Sequence, residues 1–191
     1  MTSDVGICNS ALIKIGAKTI TSLTEGSKNA NACNEQFGKL RDDLLRSHHW
    51  NFATKRVQLA RLTETPDFGF DYAYALPSDW LRTVSVHDND TGAGTVVYRI
   101  EGARLHTDAD RVYLRYIARI LDPNRMPSDF QEALAALLAW EMAIPIAQSN
   151  TLSELMRQRF ERTARRARSV DAIEDVPERF PDGSWVSERE A

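Results

Sequence analysis

The stretch ALAALLAWEMAIPIA, residues 133–147, is the feature that most limits what this chain can become. It belongs to a nearly all-apolar helix expected from Phe130 to about Ala147. A helix without a polar face must sit inside a core. The run is shorter than a bilayer crossing requires and contains Glu141, so the expectation is a core helix and no membrane partner. Pro145 is expected to bend or end it. Ser128 with Gln131 reads as a capping box at its start, and Thr151 with Glu154 as a second one opening the next helix.

Other helices follow from spacing. Val5, Cys8, Leu12 and Ile15 step by three and four, with Ser3 or Asp4 to cap the start and Gly16 to end it. Ser27 caps a second helix whose stripe is Ala30, Cys33, Phe37, Leu40 and Leu44, and the two are expected to pack as an antiparallel pair. Leu152, Met156, Phe160, Ala164 and Ala167 form the stripe of a last helix. Between these helices the period changes to two. Val96, Tyr98 and Ile100 alternate with polar neighbours, as do Val112, Leu114, Tyr116 and Ala118, with turns at Glu101-Gly102 and Asp108-Ala109-Asp110.

The resulting expectation is an α+β fold, mainly α. About four helices (3–16, 27–49, 128–148 and 151–172) form a bundle, with a small antiparallel β-sheet inserted at about 53–120. Residues 1–173 make one domain, and 174–191 make an extended C-terminal arm because Pro177, Pro181 and Gly183 prevent a continuous helix. Val176, Phe180 and Trp185 are its candidate anchors for a partner, since aromatic side chains commonly serve as interface hot spots.

The chemistry is sparse. A net charge of −3 argues against a surface devoted to nucleic acid. Cys8 and Cys33 lie on apolar helix faces and read as buried thiols. His48 and His49 are adjacent, about 100° apart on a helix, and cannot chelate one metal as an i, i+4 pair does. No GxSxG, HExxH or GxxxxGK occurs, so no catalytic residue, metal or cofactor is expected. His49 is placed where a cation favours the C-terminal end of a helix, while Trp50 and Phe52 are expected to plug the junction between helices and sheet. The remaining electrostatic feature is the arginine-rich face of the last helix. Arg157, Arg162, Arg165 and Arg166 are its candidates for a subunit or portal interface or a DNA-facing lumen. A solvated helix face is the plain alternative.

Four separated motifs then recur in the order of one known family. They are CNSAL at residues 8–12, ITSLTEGS at 20–27, LRSHHWNFA at 45–53, and the pair YAYALPSDWLRTV and YRIEGARLHTDADRVYLRYI. The chain resembles the tail tubular protein A family, the head–tail adaptors of short-tailed phages, over roughly residues 7–165. The resemblance implies a structural homo-oligomer, a dodecameric ring that joins the portal to the tail tube or nozzle. DNA would pass through its lumen without sequence-specific contacts. It also implies a virion protein of the head–tail junction, made in the host cytoplasm. The competing expectation is a small DNA-binding or packaging protein that uses the arginine-rich helix.

Overall fold

The computed structural model describes residues 3–92, 94 and 96–174. The Ser3 hydroxyl accepts from the Gly6 amide and starts helix α1 (Asp4–Lys14), and Gly16 beyond it takes a left-handed φ of 68°. Ser27 starts α2 (Lys28–Arg46) by accepting from Ala30. Two further caps differ from the expected boxes. Gln131 does not reach back to Ser128; its amide donates to the carbonyls of Pro123 and Met126 and ties the preceding 3₁₀ turn to α3 (Ser128–Ala147). For α4 (Asn150–Ile173) the cap is Ser149, which accepts from Leu152, so the sequence box is set two residues too late. Pro145 sits in the last turn of α3 without ending it; the helix runs to Ala147 and stops at Gln148, whose φ is 53°.

Helix α3 is the hub. Its buried side chains include the unbroken run Ala133, Leu134, Ala135, Ala136, Leu137, Leu138 and Ala139, which point in all directions around the axis. It therefore receives α1, α2 and α4 on different sides, while α1 and α2 touch each other little. The expected α1–α2 pair is thus corrected: each has a single apolar stripe, and α3 offers both more surface than they offer one another. At 20 residues α3 has the length and apolarity of a membrane span, with 56% of its most apolar window buried inside the protein. Its burial, not shortness, is what marks it as a core helix.

The inserted region holds β1 (Thr54–Gln58), β2 (Tyr72–Ala75), β3 (Trp80–His87), β4 (Tyr98–Glu101), β5 (Arg104–Thr107) and β6 (Tyr113–Ala118). These build two three-stranded antiparallel sheets, ordered β1-β6-β3 and β2-β5-β4, where a single sheet was expected. The alternation within β6 explains why two are needed. Ile117 points into the helical core with Leu81 and Ala53. Leu114, Tyr116 and Ala118 point the other way and pack with Tyr74, Leu105 and Val86. An apolar second face needs a cover, and the second sheet supplies it. Between β4 and β5, Glu101 pairs with Arg104 across a two-residue turn, with φ of 55° at Gly102 and 62° at Ala103. Both central residues are left-handed, as the tightest hairpin turns require.

Candidate functional site

Three of the four motifs, CNSAL, ITSLTEGS and LRSHHWNFA, fall on joints of the structure. The Asn9 side chain clamps Ile20 from both sides, donating to its carbonyl at 2.9 Å and accepting from its amide at 2.8 Å. The Glu25 carboxylate accepts from the Thr21 amide and hydroxyl and from the Ser27 hydroxyl. These bonds, that from Ser27 first, hold its pKa down at about 2. Trp50 plugs the helix–sheet junction, 1% exposed, in edge contact with Phe130 and tilted against Phe52. Its indole N–H donates to the Leu44 carbonyl at 3.0 Å, in the last turn of α2, where the Ser47 hydroxyl and amide donate as well.

Asp171 near the end of α4 closes the same joint. Its carboxylate, 6% exposed at the residue level, accepts from the Asn51 amide at 3.0 and 3.2 Å. The Asn51 side chain donates back to the Asp171 carbonyl at 2.7 Å. Removing the carboxylate strands a half-buried amide N–H, so Asp171→Ala is expected to lose about 1–3 kcal/mol of unfolding free energy. A urea titration measures it, and Asp171→Asn, which keeps an acceptor, should lose less.

Helix α2 stops at Arg46, so His48 and His49 lie beyond it, and the expected helix-end cation at His49 is corrected. Burial lowers the pKa of both rings below the ordinary imidazole value. The charges of Arg168 and Arg82 push His48 further down, and those of Arg82 and Arg115 do the same to His49. The Asp171 carboxylate, 3.8 Å from His48 Nε2, does not outweigh them. An unfolded chain would take up these protons near pH 6.5, before the folded one does. The stability carried by the neutral rings is therefore complete above about pH 6.5 and lost as pH falls through the lower folded values. The melting temperature should drop between about pH 7 and about pH 5, and His48→Gln with His49→Gln should flatten that slope in calorimetry.

These contacts trace a line of cations. Arg168 reaches Ser47 on one side of His48. Arg82 donates to the Arg46 carbonyl, and Arg46 to the Leu81 carbonyl. Arg115 lies near His49, and Arg56 stands directly opposite Arg115 across β1 and β6. Both end in a cleft of about 660 Å³ shared with Gln58, His87 and Tyr113. The sequence singled out the basic HHW stretch, but Arg82 and Arg115 arrive from distant strands and carry no local signal.

Much of the arginine face of α4 is used within the chain. Arg157 pairs with Glu154 and Glu161 on its own helix. Arg159 and Lys14 both donate to Glu132, which ties α4 and α1 to α3. Arg166 reaches Asp129 at 3.2 Å, and Arg165 donates to its own helix at the Glu161 carbonyl. Arg162 is exposed and has no ion-pair partner among the described residues. Glu132 and Asp129 were not singled out in sequence, because their partners lie a helix away.

The arm anchors Val176, Phe180 and Trp185 lie outside the described residues. Among the described residues no group of three or more His, Cys, Asp or Glu side chains is placed to hold a metal ion. Comparison with family models and with curated proteins finds no match for this chain.

Proposed function

We propose that the chain is a structural head–tail adaptor subunit of the tail tubular protein A kind. It assembles as a homo-oligomeric ring, dodecameric in this reading, between portal and tail tube or nozzle at the head–tail junction of a virion. DNA passes through its lumen, and the subunit carries out no reaction of its own. The observation that carries this reading is the ordered recurrence of four separated motifs. Their side chains serve as clamps and plugs: Asn9 on Ile20, Glu25 on its loop, Trp50 at the junction. Such uses suit a subunit whose task is to hold a shape. The DNA-binding alternative is weakened because Arg157, Arg159 and Arg166 already pair with carboxylates of this chain.

Electron microscopy of the purified protein, alone and mixed with its portal, tests the proposal. Rings that stack on the portal are expected. A protein that stays monomeric in both samples, yet binds duplex DNA with a steep salt dependence, would replace this reading with the alternative.

A further inference from the structure

We propose that the acidic segment 175–191 docks along the cationic line on its own subunit, its carboxylates meeting Arg168 at one end and the Arg56–Arg115 pair at the other. This stands apart from the adaptor reading and would hold for a monomer.

Three observations converge. First, the line has cations without counterions. Among the described residues none of Arg46, Arg56, Arg82, Arg115 and Arg168 has a carboxylate partner, and where Arg46 and Arg82 bond at all it is to main-chain carbonyls. Asp90 borders the cleft, and Asp171 is engaged by Asn51. Second, the two ends of the line each hold an unmet donor. The Nε atoms of Arg115 and Arg168 are shut from solvent with no hydrogen-bond partner among the described residues. Arg56 and Arg115 also oppose each other in register, a like-charge pairing that weakens a sheet unless an anion sits between them. Guanidinium pairs of this kind suit a carboxylate.

Third, the chain delivers the anions. Helix α4 is bonded to Asn51 through Asp171, three residues before the described chain ends at Glu174. Arg56 lies five residues along the chain from Asn51, a reach of at most about 17 Å, whereas 17 residues of arm can span up to about 56 Å. Residues 175–191 carry five carboxylates and two arginines, a net −3 that equals the charge of the whole chain. The body before it is neutral in sum, which favours this occupant over nucleic-acid phosphates. Tethering raises the effective concentration of the segment to the millimolar range, enough for weak exposed ion pairs to act together. Docking the charges of the arm on its own subunit also fixes where Phe180 and Trp185 are offered to a partner.

Trypsin cleavage of the full chain after Arg179, followed by mass spectrometry, reads the docking. Cleavage should be slow at about 0.05 M salt and about tenfold faster at about 0.5 M, where exposed ion pairs are screened. Arg56→Glu with Arg115→Glu should be fast at both, and Arg56→Lys with Arg115→Lys should keep most of the protection. Thermal melting of each variant separates this effect from misfolding, and the salt comparison on the unaltered chain stands without any variant. Equal cleavage rates at both salts would overturn the proposal. Protection that grows with protein concentration would also overturn it, assigning the segment to a second copy. So would a short DNA duplex that binds through Arg56 and Arg115 and speeds the cleavage, making the line a phosphate surface.

Discussion

Trp50→Ala is expected to lower the unfolding free energy by on the order of 3–5 kcal/mol, the range for truncating a fully buried large aromatic. Three terms add. The indole gives up nearly all its burial, since it is 1% exposed. Edge contacts with Phe130, at 5.1 Å between centroids, and with His48, at 4.9 Å, are lost, and such contacts contribute beyond area alone. The Leu44 carbonyl in the last turn of α2 loses one of three donors, keeping those of the Ser47 hydroxyl and amide. Phe52 and Phe130 stack edge-on behind it at 5.0 Å and can only partly close the space. In urea the midpoint should fall with little change of slope. Trp50→Phe should lose less, keeping the ring contacts while the Leu44 carbonyl keeps the Ser47 hydroxyl and amide as donors. A midpoint unchanged in Trp50→Ala would mean that the side chain is not what holds helices to sheet.

Reversing Arg162, Arg165 and Arg166 to Glu is expected to abolish association with a neighbouring subunit or portal while the monomer stays folded. One exposed pair contributes at most about 1 kcal/mol, but the ring proposed above would repeat the contact in every subunit. Contacts inside the chain sharpen the design. Arg166 faces Asp129, so its reversal adds a repulsion within the monomer, and part of any lost stability belongs there. Arg162 has no such partner among the described residues, so Arg162→Glu alone is the cleaner probe and should weaken assembly without moving the melting temperature. Sedimentation velocity of both variants, with and without portal, reads the outcome. Normal rings from the triple variant would return this face to plain solvation.

What the sequence made legible was local. The stripes of α1, α2 and α4, the caps at Ser3 and Ser27, the alternation of Leu114, Tyr116 and Ala118, and the turn at Gly102 all arise within a few residues. The α+β, mainly α class followed from them. The choice of partners was not legible. Strand β6 shows an apolar alternation, but nothing local says that its two faces serve two separate cores. An apolar helix announces burial, and only packing shows that α1 prefers it to α2. That Arg159 and Arg166 pair with Glu132 and Asp129 was not legible either, because those carboxylates lie in another helix. Conversely, Arg56 and Arg115 look like scattered surface charges until antiparallel register brings them side by side.

The position of the hub helix also sets the order of events during synthesis. Helices α1 and α2 are complete by Arg46, yet α3, the surface they pack against, begins at Ser128. At ribosomal rates of about 5–20 residues per second, the stripes through Cys8, Leu12, Cys33 and Phe37 wait roughly 4–16 s for their partner. During that interval the two sheets, whose strands all lie between Thr54 and Ala118, can close on themselves. The apolar α3 then emerges last but one, among stripes already waiting for it. A nascent chain halted before Ser128 should therefore be the species that chaperones hold most tightly, and release should coincide with the appearance of Met142 rather than with the end of translation.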